Sequence, residues 1–379
     1  MTHPAPQVSV ILPTYNRGDV LLRAIGSIQV QTFTDWELLV IDDGSTDDSV
    51  MRVNALGDPR IRVLQQANQG VYTARNTGLA ASLGQWLTFM DSDDEWLPHF
   101  LSLTTAFLRH HPDADWVTTE FLEDLGDGSP RIRHDLHDIC RDFVPFARRI
   151  GSTALALPPG ETDDYLRVYQ RREPVGEWGR AIVDGMGAPD AQVYHGHIFD
   201  AMRWGYLNWL PITLLTRRAL ERVGPFTTHT RSAADYRFLS RLAQQFEAHM
   251  VAVPGAIKYD KAAPGQALVQ GHLATGAASY RFEVNKLGFF DELFHDPAPR
   301  DAELARLRRH FCLATGHRAL SLGLRREAIG WLRGAAAWEP ILWTAWPMGW
   351  LARLVPVDRV AAKVYNGWLT LWNQRPRRS

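Results

Sequence analysis

The chain has 379 residues, of which 45% are hydrophobic and 22% charged, a composition typical of a folded protein with one large domain plus an appendage, or with two domains. The formal net charge of −1 gives no support for nucleic-acid binding, which usually requires a strongly basic domain. The two cysteines, Cys140 and Cys312, are too few for a disulfide framework or a cysteine-based zinc site and are typical of a reducing compartment.

Predicted strands and helices alternate along the first part of the chain. From apolar, β-branched runs and from helical spacing of apolar residues, the predicted elements are strands at 8–13, 36–41, 61–64 and 86–90 and helices at 20–30, 71–83 and 97–110. This alternation predicts βαβ units and a parallel sheet. The chain lacks both the Gly-X-Gly-X-X-Gly turn of dinucleotide-binding domains after its first strand and a Gly-Lys-Ser/Thr phosphate loop, which excludes these two classes.

Acidic residues follow two of these strands directly. Asp42 and Asp43 follow the second strand, and the fourth strand runs into the cluster 91–95 (DSDDE). Open α/β sheets bind ligands at the carboxyl ends of their strands, and carboxylates this close repel one another unless a cation or hydrogen-bond donors share the site. Oxygen ligands of this kind favour Mg²⁺ or Mn²⁺. Taken alone, the second cluster is also compatible with a solvated acidic loop that caps the next helix.

Residues 121–200 have the weakest pattern, and we interpret them as an insertion that serves as a lid or an acceptor-facing segment. Within it, His195 and His197 are interpreted as structural or surface residues, because no third ligand follows at zinc spacing. A proline-interrupted strand at 209–215 is expected at a sheet edge, and Asp235 opens a predicted helix that runs to about residue 245.

The last part of the chain is predicted to be helical. We expect a sheet domain at 1–264 and a C-terminal helical region at 265–379, which contains an antiparallel helix pair at 301–322 and 325–337. Residues 341–355 are rich in tryptophan but too short and too interrupted for a transmembrane helix. Two interpretations of this tail stay open, peripheral association with a membrane surface and packing on the chain's own sheet domain.

Five sequence blocks resemble glycosyltransferase family 2, whose members are inverting enzymes with the GT-A fold. In the family's order and spacing, the blocks are residues 8–17 (VSVILPTYNR), 27–33 (SIQVQTF), 37–47 (ELLVIDDGSTD), 74–78 (ARNTG) and 89–94 (FMDSDD). The resemblance fades across 121–200 and returns more weakly at 215–220 (LTRRAL), 223–226 (VGPF) and Asp235. It implies an α/β fold with a single Rossmann-like sheet of the GT-A type, followed by a C-terminal α-helical region.

The resemblance also implies roles for individual residues. The implied donor-binding residues are Pro13, Thr14, Tyr15, Asp42, Asp43, Arg75, Asp91 and Ser92. Among them, Asp42 would accept a hydrogen bond from a uracil base, and Arg75 would approach the diphosphate or the ribose. Asp93, together with Asp91, would coordinate the Mg²⁺ or Mn²⁺ that bridges the diphosphate. Asp235 would act as the catalytic base toward the acceptor hydroxyl.

Two departures from the family pattern affect these roles. Family members usually have a Glu-Asp pair where this chain has Ala234-Asp235, and an aspartate that opens a helix is also an ordinary N-cap. Where many members have a Tyr-Arg-X-His-like segment, the chain has Tyr259-Asp260-Lys261, so this segment offers no histidine to the metal. Lys261 is a candidate to supply positive charge toward the diphosphate instead.

The sequence therefore predicts an inverting glycosyltransferase that transfers a sugar from an NDP-sugar, with a UDP-sugar favoured, to a hydroxyl of a glycan or lipid-linked saccharide in cell-surface polysaccharide biosynthesis. The expected partners are the nucleotide-sugar donor and the saccharide acceptor, without nucleic acid. The N-terminus lacks a signal-peptide pattern, so we expect a cytoplasmic location, peripheral on the inner face of the cell membrane. The alternative is a catalytically inactive GT-A-like protein that binds a nucleotide or scaffolds an assembly.

Overall fold

The chain forms two compact units, residues 1–267 and 268–379. The computed structural model describes residues 5–124, 131–133, 136, 140, 143–205, 207–230, 232–259, 276–294 and 302–337. Lys261 and the tryptophan-rich segment 341–355, with its predicted membrane association, lie outside these residues.

The first unit is built on one mixed β-sheet. Its strands are β1 Val8–Thr14, β2 Trp36–Asp42, β3 Ile61–Gln65, β4 Trp86–Phe89, β5 Glu95–Trp96, β6 Trp116–Asp124, β7 Arg131–Arg133, β8 Arg171–Pro174, β9 Gln192–Gly196, β10 Thr213–Thr216 and β11 Ala248–Tyr259. Their order in the sheet is β3-β2-β1-β4-β10-β6-β11-β9-β8, with β5 paired to β11 and β7 paired to β6.

Helices connect these strands and make up the described part of the second unit. They are α1 Gly18–Gln29, α2 Ser49–Ala55, α3 Val71–Ala81, α4 Phe100–His110, α5 Val144–Arg149, α6 Glu177–Gly185, α7 Phe199–Met202, α8 Arg217–Val223, α9 Ala234–Gln245, α10 Gly276–Leu293, α11 Ala302–Ser321 and α12 Arg325–Ala337.

The N-terminal half of the sheet is parallel, which confirms the sequence prediction for β1 to β4. Strand β1 pairs in parallel with β2 on one side and with β4 on the other. Every residue of these three strands is buried, as expected for strands covered on both faces by crossover helices. Their carboxyl ends therefore meet at one edge of the sheet.

Helix α3 lies unusually close to this parallel core. A Cβ atom placed on Gly78 would lie 2.5 Å from Ile11 Cγ2 of β1 and 3.3 Å from Ile41 Cγ1 of β2. Glycine at position 78 therefore lets the helix backbone approach the sheet to a distance that alanine would prevent. The close approach sets the height of the whole helix above the sheet.

The prediction for residues 209–215 is wrong in its details. Residues Leu210–Ile212 form a 3₁₀ turn that contains Pro211, and the strand that follows, β10, lies inside the sheet. It pairs antiparallel with β4 on one side and with β6 on the other. Pro211 precedes the ladder and so removes no hydrogen bond from it, which is why an internal strand tolerates this proline.

Part of the weakly patterned region 121–200 belongs to the sheet. Strand β9 pairs antiparallel with β11, and β8 pairs antiparallel with β9 to form the edge of the sheet. All four residues of β8 are exposed, which explains why no hydrophobic alternation marks it in the sequence. An expected role as a lid or acceptor-facing segment stays a prediction.

The second unit is helical in its described part, as predicted. Helices α11 and α12 are joined by a turn in which Gly323 has a φ of +76°, a conformation that favours glycine. Ala319 and Leu320 of α11 pack with Ala328 and Leu332 of α12 in a small buried cluster. Across all the residues described above, no helix has the length and apolar character that crossing a bilayer requires.

Candidate active site

The carboxyl edge of the parallel strands brings together Thr14 and Asp42, two of the predicted donor-binding residues. Thr14 pairs with Asp42 in the register of β1 and β2, so these two residues end their strands side by side. Asp42 is buried, and both of its carboxylate oxygens face the backbone N–H of Ser45, at 3.2 and 3.3 Å. The Thr14 hydroxyl is buried without a hydrogen-bond partner, while the Tyr15 side chain is 40% exposed. This edge of the sheet therefore presents the Thr14 hydroxyl, which has no hydrogen-bond partner, and the Asp42 carboxylate, which can accept further hydrogen bonds.

Asp43 has a different environment from Asp42. Its carboxylate accepts hydrogen bonds from the backbone N–H groups of Gln69, at 2.9 Å, and Gly70, at 2.8 Å, and from the side-chain amide of Gln66, at 2.8 Å. Gly70 precedes α3 with a φ of +91°, which favours glycine. Asp43 therefore supports the loop that leads into α3, and its predicted contact with the donor stays a prediction.

Helix α3 carries the cation nearest to the start of the acidic cluster. Arg75 is buried, and its Nη2 lies 2.6 Å from Asp91 Oδ1, in a charge-assisted hydrogen bond. Burial alone would lower the pKa of the Arg75 guanidinium, but the negative charge of Asp91 raises it above its ordinary value. The pair holds Asp91 in place two positions after the end of β4.

The acids of the cluster differ in burial and in hydrogen-bond partners. Asp94 is buried and accepts a hydrogen bond from the backbone N–H of Tyr259 at 3.1 Å, so it fastens the loop to β11. Burial and the charges of Asp93 and Asp91 raise the pKa of Asp94 well above its usual range. Ser92 is also buried. Asp91 and Asp93 keep partly exposed side chains, at 23% and 19%.

Arg17 is a residue to which sequence analysis assigned no role, although it belongs to the first block of the resemblance. It is 5% exposed, neither Nη1 nor Nη2 has a hydrogen-bond partner, and Nη2 lies 3.7 Å from Asp93 Oδ2. Burial lowers the pKa of Arg17, and the charges of Asp93 and Asp91 act in the opposite direction. A basic residue three positions after β1, on the edge where the acids gather, was the available signal.

The donor set fits a divalent cation that is shared with a diphosphate. Burial and the charge of Asp91 raise the pKa of Asp93 despite the nearby Arg17, so the cluster lacks positive charge that a cation would provide. Among the residues that the structure describes, no group of three or more His, Cys, Asp or Glu side chains is placed to hold a metal by itself. Asp91 and Asp93 therefore suit an ion whose other ligands are phosphate oxygens and water, as is usual for Mg²⁺.

Asp235 lies in the first turn of α9 and is not its N-cap, so the N-cap alternative is wrong. The N-cap position is Ala233, whose φ of +64° places it in the left-handed region at a cost of about 1–2 kcal/mol. Asp235 Oδ1 accepts hydrogen bonds from the Tyr72 hydroxyl at 3.2 Å and from the backbone N–H of Tyr236 at 3.0 Å. The fold thereby brings Asp235 to α3, the same helix that holds Asp91 through Arg75.

A second group of side chains closes the far side of the acidic loop. Arg23 donates to the carbonyl oxygen of Asp93 at 2.7 Å, and its Nε lies 2.9 Å from Glu95 Oε1. The Arg23 guanidinium also stacks over the Tyr259 ring at 3.9 Å, and the Tyr259 hydroxyl donates to Glu95 at 2.9 Å. These contacts link α1, the acidic loop and the end of β11.

His195 lies in β9 and His197 directly after it, and neither belongs to a group of three or more His, Cys, Asp or Glu side chains that could hold a metal ion among the described residues. His195 Nδ1 lies 2.8 Å from His249 Nδ1 on the paired strand β11, and its Nε2 lies 3.3 Å from Glu173. Burial and the neighbouring His195 lower the pKa of His249 to about 3. His197 is exposed.

The chain is similar to known proteins in both sequence and structure. Residues 9–154 match the family described as Glycosyl transferase family 2. Part of the chain is similar to the UDP-Glc:alpha-D-GlcNAc-diphosphoundecaprenol beta-1,3-glucosyltransferase WfgD of Escherichia coli, with 37% identity over 102 residues, which are 27% of this chain and 40% of WfgD. The chain spans less than half the length of WfgD and of three other curated relatives that it matches.

Two solved structures have a similar fold. One is S. aureus TarS 1–349 in complex with UDP-GlcNAc, with a TM-score of 0.51 and 18% identity over 95% of this chain and 92% of TarS 1–349. The other is the mannosyltransferase PcManGT from Pyrobaculum calidifontis in complex with GDP-Man and Mn²⁺, with a TM-score of 0.50 and 17% identity over 98% of this chain and 89% of PcManGT. At this level of identity the comparison confirms the GT-A-like α/β fold alone.

Proposed function

Residues 9–154 belong to glycosyltransferase family 2, and from this premise we propose that the chain is an inverting enzyme that transfers a sugar from a UDP-sugar to a hydroxyl of a glycan or lipid-linked saccharide. The acceptor class is supported by WfgD, whose name describes a diphosphoundecaprenol-linked substrate. A lipid-linked acceptor would bring the enzyme to the inner face of the cell membrane, where cell-surface polysaccharides are assembled.

The observation that carries this proposal is the convergence of the two halves of the site on α3. Arg75 of this helix bonds Asp91 of the acidic cluster, and Tyr72, one turn earlier, bonds Asp235. Residues three apart lie on the same face of a helix. The acid proposed as the base and the acids proposed to face the diphosphate are therefore neighbours in space, although more than 140 positions separate them in the sequence.

The proposed reaction is a single displacement at the anomeric carbon. The acceptor hydroxyl oxygen attacks this carbon, and the bond from the carbon to the β-phosphate oxygen breaks with its electron pair passing to the phosphate. Asp235 takes the hydroxyl proton as general base, a role that contributes roughly 10²- to 10⁴-fold to rate. One displacement inverts the configuration of the sugar.

Positive charge near Asp91 and Asp93 would stabilise the departing nucleoside diphosphate. The unpartnered guanidinium nitrogens of buried Arg17 supply part of this charge from the protein. A bound Mg²⁺ or Mn²⁺, held by Asp91 and Asp93, would supply Lewis-acid stabilisation of the phosphate oxygens. Thr14 and Asp42 would hold the uracil, because together they present a hydroxyl and a carboxylate at the end of paired strands.

The test is a measurement of UDP or GDP release from UDP-glucose, UDP-N-acetylglucosamine, UDP-galactose and GDP-mannose, with Mn²⁺ and with EDTA. Asp235→Asn is expected to lower kcat by at least about 100-fold while the Kd for UDP, measured by calorimetry, stays within about twofold. Asp93→Asn is expected to weaken the stimulation by Mn²⁺. Asp190→Asn, which changes an exposed aspartate outside the site, is the matched control.

Wild-type turnover in both Asp93→Asn and Asp235→Asn would refute the assignment of the site. Binding of UDP without turnover of any donor, in the presence of a polyprenyl-diphosphate-linked saccharide as acceptor, would favour the alternative of a nucleotide-binding scaffold.

A further inference from the structure

We propose that Tyr72 is a positioning residue that holds the Asp235 carboxylate in place for proton abstraction. The inference rests on the proposed function, since it assigns a partner to the base of that reaction. Tyr72 lies outside the five blocks of the resemblance, and its role is inferred from the hydrogen bonds and ring contacts that it makes in the fold.

The Tyr72 hydroxyl bonds both the backbone and the side chain at the start of α9. Its oxygen accepts a hydrogen bond from the backbone N–H of Ala234 at 3.2 Å, and it donates to Asp235 Oδ1 at 3.2 Å. The N–H groups of the first helical turn have no partner within their own helix. One hydroxyl therefore satisfies a free N–H group of α9 and orients the carboxylate that follows it.

The donor direction of this bond is set by the protonation of Tyr72. Burial and the negative charge of Asp235 raise the pKa of the Tyr72 phenol well above its ordinary value. The phenol therefore keeps its proton and donates a hydrogen bond to Asp235. A neutral donor of this kind orients one carboxylate oxygen of Asp235 and leaves the other oxygen open to the acceptor hydroxyl.

Contacts with Phe226 hold the Tyr72 ring in place. It is 6% exposed and stacks on Phe226 with a centroid distance of 5.9 Å, and Phe226 stacks in turn on Phe238 of α9 at 4.3 Å. Asn76, one turn after Tyr72, makes a pair of 2.9 Å hydrogen bonds with the backbone N–H and C=O of Phe226. Helix α3 and the segment that leads to α9 are therefore clamped together, and the hydroxyl has little freedom to move away from Asp235.

The same helix also holds the opposite side of the site through Arg75 and Asp91. A rigid helix that contacts both sides keeps the distance between the base and the departing phosphate constant. Misplacement of a reacting group by about 1 Å can cost roughly 100-fold in rate. Loss of the Tyr72 hydroxyl should therefore affect the chemical step and leave nucleotide binding unchanged.

The experiment compares Tyr72→Phe with Tyr194→Phe. The first variant keeps the stacked ring and removes the hydroxyl. The second removes an equivalent buried tyrosine hydroxyl that donates to a carboxylate, that of Asp163 at 2.6 Å, without contact to Asp235. For each variant, kcat is measured by nucleotide release with water as acceptor. The donor is the one of the four nucleotide sugars named under the proposed function that the wild-type protein turns over fastest. The Kd for UDP is measured by calorimetry.

We expect Tyr72→Phe to lower kcat by about 10- to 100-fold with the Kd for UDP within about twofold of wild type, and Tyr194→Phe to change neither. Wild-type kcat in Tyr72→Phe, in a protein where Asp235→Asn is inactive, would overturn this inference and leave the proposed function intact. Parallel losses in kcat and in UDP affinity would also overturn it, because they would indicate a displaced α3. Wild-type turnover in Asp235→Asn would overturn this inference together with the assignment of Asp235 as the base.

Discussion

The close approach of α3 to the sheet predicts that alanine at position 78 destabilises the protein, although alanine favours helices. In an open helix, Gly→Ala stabilises by about 0.5–1 kcal/mol. At Gly78 the new Cβ would lie 2.5 Å from Ile11 Cγ2, about 1 Å closer than carbon atoms ordinarily approach one another. Ile11 is fully buried, and protein cores are close-packed, so we expect α3 to lift from the sheet.

Overpacking of this kind typically costs about 1–3 kcal/mol, which exceeds the gain in helix propensity. We therefore expect Gly78→Ala to lower the free energy of unfolding by about 1–2 kcal/mol. Gly26→Ala is the matched control, because Gly26 lies inside α1 and a Cβ there would meet nothing within 4 Å. That variant is expected to gain about 0.5–1 kcal/mol.

Urea unfolding followed by tryptophan fluorescence measures both changes, since Trp36 and Trp116 are fully buried in this unit. A double-mutant cycle with Ile11→Ala isolates the contact: the added Cβ should be better tolerated once the isoleucine side chain is removed, so the two effects should not add. UDP affinity should fall in Gly78→Ala, because α3 also carries Arg75. A Gly78→Ala variant as stable as Gly26→Ala would refute the reasoning.

Two further predictions concern charge. Arg17→Met should weaken UDP binding by about 10- to 100-fold, which is the contribution of one charge-assisted hydrogen bond. The control Arg60→Met removes a cation that is paired with Asp58 and should leave the Kd for UDP unchanged. Equal UDP affinities of the two variants in calorimetry would contradict a diphosphate contact by Arg17. Because the pKa of His249 is about 3 in the folded protein and near 6.5 in an unfolded chain, the unfolded state binds more protons between these values, and stability should be lost as pH falls below 6.5. Between pH 7 and pH 5 this residue should lower the free energy of unfolding by about 2 kcal/mol. The urea midpoint of His249→Gln should therefore depend less on pH than that of wild type. An identical pH dependence of the two midpoints would count against a buried, neutral histidine.

Much of the parallel half of the fold was predictable from local patterns. Strands β1, β2 and β4 are continuous apolar runs because both of their faces are covered, and such runs are legible in a sequence without any tertiary information. The acids that follow β2 and β4 were recognised for the same reason. A strand end fixes the position of the next residues at the sheet edge, so the grouping of Asp42, Asp43 and Asp91 follows from topology.

The predictions failed where burial and neighbours are decided by distant residues. The strand after Pro211 was expected at an edge, but an internal antiparallel position is compatible with a proline that precedes the ladder. Strand β8 was invisible because an exposed edge strand needs no apolar alternation. Both outcomes depend on which strands pair, and pairing between residues more than 50 positions apart leaves no local pattern in either partner.

By itself, the sequence determined the alternation of strands and helices, the edge of the sheet at which acids gather and the glycosyltransferase family 2 pattern that residues 9–154 match. Only the tertiary structure decided the partners of the charged groups: Arg75 with Asp91, Asp43 with the loop before α3, Arg17 facing Asp93, and Asp235 with Tyr72. The physical reason is one of range. Periodicity records which face of an element is buried, whereas a hydrogen bond or ion pair between remote residues requires positions that the whole packed core sets.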